Sequence, residues 1–152
     1  MPRDALGLPL TTQSAAAAAA FDHAVAGYVI YRADGAERLT ALLQADPDFA
    51  LAHVLKGYFM MLGYKQALVP VACEAAAAAA RLMSGTTPRE QAHLLALRAW
   101  IANEPDRAAS IWQQIVDEHP RDIVAFRLAH LINFWLGRPG TMLESVHGVL
   151  RH

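Results

Sequence analysis

Residues 87–137, TPREQAHLLALRAWIANEPDRAASIWQQIVDEHPRDIVAFRLAHLINFWLG, decide the fold. Two apolar patterns of helical period and the start of a third are separated by turn signals. Thr87-Pro88-Arg89-Glu90 is a capping box, in which the Thr87 side chain accepts from the Glu90 N–H and Glu90 reaches back. Pro88 falls at the first helical position, where its missing N–H costs nothing. Asn103-Glu104-Pro105-Asp106 stops the first pattern, and His119-Pro120-Arg121-Asp122 stops the second. The segment reads as helix, turn, helix, turn, helix.

These breaks recur at the spacing of the tetratricopeptide repeat, whose W-x2-L-G-x2-Y, A-x3-F and P signature spans about 34 residues. With Arg89 as position one, the first-helix core positions fall on Ala92, Leu95, Ala96 and Ala99. The second helix gives Ala108, Trp112 and Ile115, and Pro120 closes the unit. Small residues at Ala96 and Ala108 suit a close crossing of the two helices. Ala92 stands where the signature has Trp and Ala96 where it has Gly, so spacing carries the match.

Outward from this segment the punctuation repeats. Residues 1–11 form a leader with Pro2, Gly7 and Pro9, whose Leu6, Leu8 and Leu10 are expected to fold back over the first helix. Thr11 or Thr12 caps a helix running to about Arg32, and Ala33-Asp34-Gly35 ends it. Asp46-Pro47-Asp48, Gly63 and Ser84-Gly85 supply further stops. Taking Ala50 as position one sets Gly57 on the signature glycine. The expectation is a single all-α domain over residues 1–152, a helical-hairpin solenoid of eight helices in four antiparallel pairs at 12–46, 49–83, 88–119 and 121–150. A decorated four-helix bundle is the alternative, and the evenly spaced turns favour stacking.

Composition narrows the function classes. Hydrophobic residues make up 55% but aromatics only 8%, so alanine supplies much of the apolar content, as in closely packed helices. With 13 basic and 14 acidic residues, no nucleic-acid or acidic-lipid footprint exists. The single Cys73 gives neither an internal disulfide nor a CxxC pair. No stretch has the roughly 20 strongly apolar residues of a membrane span. Asp4 and Asp22-His23 bracket the alanine run at 15–20 and argue against a signal peptide, so the expected location is cytoplasmic.

At residues 8–14 (LPLTTQS), 39–53 (LTALLQADPDFALAH), 86–97 (TTPREQAHLLAL) and 111–137 (IWQQIVDEHPRDIVAFRLAHLINFWLG), the chain resembles the tetratricopeptide repeat protein 38-like family. The resemblance covers nearly the whole chain, irregular unit lengths included, and falls on the N-terminal part of longer family members. It implies an α-helical repeat protein and brings no catalytic residues with it.

In tetratricopeptide arrays, positions 2, 5, 9, 12 and 13 of each first helix line the inner groove. Here that resemblance selects Tyr28 and Tyr31 from the first unit, Tyr58 and Met61 from the second, and His93, Leu97 and Trp100 from the third. The fourth unit adds Arg127, Leu131, Phe134 and Trp135. Arrays of this kind that grip a C-terminal carboxylate use Lys, Arg and Asn there, and only Arg127 and Arg32 fit that use. The lining instead suits an apolar peptide or helix. The expected function is a non-enzymatic protein–protein interaction scaffold, filled by another chain or by the protein's own C-terminal region. The alternative is the N-terminal helical part of a larger enzyme or small-ligand binder whose functional residues lie beyond His152.

Other candidates have plainer readings. His23, His53, His93 and His130 with Glu90 form a possible zinc set. Positions four and five of a helix lie about 100° apart, however, so the rings diverge and no metal or cofactor is expected. Cys73 is expected to be a small buried hydrophobe rather than a nucleophile. Glu104, Asp106, Asp117, Glu118 and Asp122 fall at helix ends and turns, where capping and solvation account for them. Met142, Leu143, Val146, Val149 and Leu150 are too broad an apolar set for one buried stripe, which points to self-association through the last helix.

Overall fold

Eight helices follow one another through the computed structural model, which describes Met1–His152. They are α1 (Ala15–Val29), α2 (Gly35–Ala45), α3 (Ala50–Leu62), α4 (Val69–Leu82), α5 (Pro88–Ile101), α6 (Pro105–Glu118), α7 (Ile123–Trp135) and α8 (Pro139–Val149). Each odd-numbered helix packs on the helix that follows it, giving four hairpins. α5 also meets α3 and α4, and α6 packs along α7, so successive hairpins stack. The only β-type contact is an isolated bridge between Arg3 and Pro9 in the leader. No helix is long and apolar enough to cross a membrane.

Local chemistry sets the boundaries. Proline occupies the first turn of α4, α5, α6 and α8, where no intrahelical N–H bond is lost. The Thr87–Glu90 capping box of α5 is present with both of its reciprocal bonds. α1 starts later than the threonines predict: Ser14, not Thr11 or Thr12, accepts the Ala17 N–H at 3.0 Å. The threonine hydroxyls are engaged elsewhere, Thr11 on Glu90 at 2.6 Å and Thr12 on Asp46. α1 also ends at Val29, short of the expected Arg32.

The odd-numbered helices share one ending. Tyr31, Tyr64, Asn103 and Gly137 each follow the C-cap of α1, α3, α5 and α7, and each has positive φ (58°, 49°, 60° and 68°). In three of the four, the next residue closes the helix with a six-residue backbone bond: Arg32 N–H to Gly27 O, Glu104 N–H to Ala99 O and Arg138 N–H to Asn133 O. This is the Schellman ending, which turns the chain back sharply and normally selects Gly or Asn at the left-handed position.

One continuous core runs from Leu10 in the leader to Ile132 in α7. Ala96 and Ala108 are both fully buried where α5 packs on α6. Leu95, expected in the core, is 51% exposed on the far side of α5. Cys73 is exposed on α4 rather than buried. α8 is covered least, with Ser145 its single buried residue and Leu143 and Leu150 open to solvent.

Gly57 sets how closely α3 approaches α5. A Cβ added there would lie 2.4 Å from Leu97 Cδ2 and 3.0 Å from its Cδ1. Leu97 is fully buried and cannot swing into solvent. Gly57→Ala gains up to about 1 kcal/mol of helix propensity, while overpacking a dense core costs ~1–3 kcal/mol. The expected outcome is net destabilisation in urea unfolding, with the cost of Leu97→Ala smaller in the Gly57→Ala background than alone. An unchanged midpoint, or strictly additive costs, would remove the close approach.

Candidate functional site

Beneath the concave side of the array lies a chain of buried polar groups. Arg89, in the first turn of α5, places Nη1 2.7 Å from Asp122 Oδ2, and both side chains are 3% exposed. Its Nη2 donates to the Pro9 carbonyl at 2.8 Å, which ties the leader to α5. Asp122 is the N-cap of α7, where its Oδ1 accepts the Ala125 N–H at 2.9 Å. His93, one turn along α5 from Arg89, sits with Nε2 3.0 Å from the same Asp122 oxygen. The chain continues through Tyr58 of α3, whose hydroxyl lies 2.9 Å from His93 Nδ1 and 2.8 Å from the His93 carbonyl. Trp112 Nε1 of α6 donates to the Tyr58 oxygen at 2.9 Å.

Protonation follows from these partners. Burial alone would raise the Asp122 carboxyl. The neighbouring His93 ring and Arg89 guanidinium, with the Ala125 N–H, outweigh burial and hold Asp122 well below the usual carboxylate range. With Asp122 ionised, His93 Nε2 carries the proton that it donates. Burial pushes the Tyr58 hydroxyl well above its ordinary value, despite the Trp112 N–H, so it stays a neutral phenol. Glu90, fully buried, accepts from Thr11 N–H and Oγ and from Thr87 N–H, and fastens the leader a second time.

Above this network the concavity is divided into two pockets. The inner one, about 320 Å³, is bounded by α1, α3 and the start of α7, with the leader loop at one side and Tyr58, His93, Arg89 and Asp122 among its lining. The outer one, about 600 Å³, is bounded by the C-terminal ends of α1 and α3, by α7 along its length and by Met142 of α8. It is lined by aromatic residues, with Arg127 the only Lys or Arg. The Arg127 guanidinium stands 5.6 Å from the Tyr28 ring and 5.0 Å from the Tyr31 ring, so α7 reaches across to α1. Tyr64 and Trp135 meet edge to face at 6.3 Å, and Phe134 and Trp135 at 5.7 Å.

The groove residues selected by repeat position therefore separate. Tyr28, Tyr31, Arg127, Leu131, Phe134 and Trp135 come together in the outer pocket. Tyr58 and His93 belong to the inner one, where both are buried. Leu97 and Trp100 line neither: Leu97 packs against Gly57, and Trp100 lies in the core with its ring 5.5 Å from Trp112 and 6.4 Å from Tyr58. Met61 is half-buried against the core. The single inner groove expected from repeat position, which would join Tyr58, Trp100 and Trp135, is thus corrected. α3 in front and α6 behind cover the face of α5 that repeat position assigns to the groove.

Position rules also missed several residues. Asp122, read as a solvated cap, is a cap and half of a buried ion pair. Tyr64, in the turn after Gly63, lines the outer pocket. Asp4 and Asp22 line the inner one. An aromatic residue where a helix stop calls for Gly or Asn was the available signal for Tyr64. The histidines do not converge: His23 is exposed, His53 Nε2 meets the Pro47 carbonyl at 2.7 Å, and no three His, Cys, Asp or Glu side chains gather in metal-binding geometry.

Asp122→Asn keeps a capping oxygen but leaves Arg89 a buried charge without its counter-ion, and a loss of ~3–5 kcal/mol is expected in urea unfolding at neutral pH. The pH dependence has a defined sign. Because its folded pKa is depressed, Asp122 contributes fully above the ordinary carboxylate value near 4. That contribution is lost as pH falls through the lower folded value. Wild-type stability should therefore fall more steeply below about pH 4 than that of Asp122→Asn. Parallel slopes in acid would refute the assignment. No family model matches the chain, and no solved structure matches it.

Proposed function

We propose that the protein is a non-enzymatic interaction scaffold of tetratricopeptide type, whose outer pocket receives an apolar segment of a protein or peptide. The observation that carries this reading is the backbone strain at Tyr31 and Tyr64. At the matching helix ends, Asn103 and Gly137 supply the residue types that the left-handed conformation favours. Tyr31 and Tyr64 hold the same conformation with a bulky side chain, at roughly 1–2 kcal/mol each. Both line the outer pocket, and both are open to solvent, at 83% and 61% exposure. Strain kept where it aims aromatic rings at an accessible concavity suggests a binding role rather than a structural one.

Phe134 and Trp135, 62% and 65% exposed, complete an accessible aromatic surface of the composition found at interface hot spots. The left-handed backbone at the two tyrosines sets the direction in which each side chain leaves the helix end. Arg127 is the pocket's one fixed charge, and His130 Nδ1 beside it has no partner. A partner segment with apolar anchors and an acidic residue next to them fits this lining. An amphipathic helix with anchors one turn apart presents that pattern on one face. The exposed Leu143 and Leu150 of α8 support self-association as a second contact of the scaffold.

Selection from a displayed peptide library tests the reading. Enriched sequences are expected to carry aromatic or aliphatic residues at helical spacing with a flanking Asp or Glu. Affinity should drop at least ~tenfold in Phe134→Ala with Trp135→Ala. Tyr31→Asn should weaken binding without lowering stability, because relief of ~1–2 kcal/mol of strain outweighs an exposed cation–π contact of ~0.5–1 kcal/mol. No enrichment, or peptides whose binding ignores these substitutions, would overturn the proposal.

A further inference from the structure

The inner cavity differs from the outer pocket in wall and in polar lining. Its walls are mainly aliphatic, with Val25 and Val29 from α1, Leu51 and Leu55 from α3, and Ile123 and Val124 from α7. Among its polar residues, Tyr58, His93 and Asp122 engage one another, Trp112, the Ala125 N–H and Arg89. Asp4 and Asp22 are half-buried and hold backbone N–H groups of the leader loop. Arg89 is the exception. It lines the cavity with a side chain only 3% exposed, its Nη1 on Asp122 and its Nη2 on the Pro9 carbonyl. Its Nε is buried and has no partner. A charged N–H shut away from water without an acceptor is rare in a folded protein and calls for a cause.

We propose that this cavity binds a small neutral aliphatic carbonyl compound, a ketone or ester, whose oxygen accepts from Arg89 Nε and whose chain lies against the walls of α1, α3 and α7. Nε–H is a donor only, so the ligand must bring an acceptor. An ammonium brings three donors and no acceptor, and leaves Nε as it is. A carboxylate brings acceptors together with a negative charge, into a lining that already sets Asp4, Asp22 and Asp122 against the one cation Arg89. A hydroxyl also accepts, but its proton then needs an acceptor of its own, and Asp122 already holds Arg89, His93 and the Ala125 N–H. A carbonyl oxygen accepts and donates nothing, and its bond to a guanidinium is charge-assisted. A volume of about 320 Å³ is at the low end for ligand pockets, which suits a short chain or a single ring. This site is independent of the aromatic pocket and of the scaffold reading.

The test is titration of the 15N-labelled full chain with hexan-2-one, hexan-1-ol, hexylammonium and hexanoate, followed by NMR at the arginine Nε–H and tryptophan indole N–H signals. Hexan-2-one is expected to bind at least ~tenfold tighter than either charged probe, with hexan-1-ol between them. As it saturates, the Arg89 Nε–H proton should move downfield while the Trp135 indole signal of the outer pocket stays in place. Arg89→Lys keeps the charge facing Asp122 but has no Nε, and should bind hexan-2-one no tighter than hexan-1-ol. Should that variant fail to fold, the wild-type Nε–H signal still decides. Ala26→Phe, at an exposed position of α1 in the lining, should abolish binding and leave the unfolding midpoint unchanged. An Nε–H signal that does not move at saturation would overturn the proposal, as would binding that survives Ala26→Phe. So would equal or tighter binding of any other probe, a shift confined to Trp135, or no binding of hexan-2-one.

Discussion

The buried contact between Arg89 and Asp122 is the constraint on which the other parts depend. Removing two full charges from water costs several kcal/mol, and their attraction offsets this only when every remaining donor and acceptor is placed. Here Asp122 takes Arg89, His93 and the first turn of α7, and Arg89 spends its other nitrogen on the Pro9 carbonyl. Through His93 the same cluster fixes Tyr58, and through Tyr58 it fixes Trp112. Leader, α3, α5, α6 and α7 are thus held in one register. Apolar packing alone tolerates sliding by part of a turn, whereas these geometries do not. Within this cluster only Arg89 Nε is left without a partner.

How much of this was legible in the sequence depended on the range of the interaction involved. Helix starts and stops are local, and Pro88, Pro105, Pro139 and the Thr87–Glu90 box placed them closely. Repeat spacing set Gly57 on the signature glycine, and the structure shows why a residue without a side chain stands there, against Leu97. Which face of α5 stays open was not local. Repeat position assigns His93, Leu97 and Trp100 to the groove, yet α3 and α6 bury all three. The partners of Asp122 could not be read either, since Arg89 and His93 lie 33 and 29 residues away. A cap and a buried counter-ion look the same as a string of letters.

The two pockets show how one fold supplies different chemistry along one concavity. Near the leader, the ends of α1, α3 and α7 present branched aliphatic side chains, and the unpaired charge comes from Asp4 and Asp22. In the outer pocket the same helices and the turns after α1 and α3 present rings, and the charge is Arg127. Neighbouring positions of the same helices serve both: Val25 and Val29 of α1 line the inner pocket and Tyr28 the outer, while Ile123 and Val124 of α7 line the inner and Phe126 and Arg127 the outer, so different faces of each helix divide the chemistry.

Both pockets are also set before any ligand arrives, by different means. The leader loop that walls the inner cavity is fastened by half-buried hydrogen bonds to Arg89 and Glu90 and by an exposed one to Asp22. The outer tyrosines are directed by backbone conformation, with Tyr31 and Tyr64 at positive φ in the turns after α1 and α3. The free energy stored in those two turns cannot come from the turns themselves, where Asn or Gly would be more stable. It is drawn from the core that α1 and α3 share with the rest of the array, from Phe21 and Phe49 packed at 5.7 Å to Leu97 against Gly57. A chain selected for stability alone would place Gly or Asn at positions 31 and 64. On the proposed reading, tyrosine at both sites exchanges roughly 1–2 kcal/mol of backbone strain at each for an accessible ring.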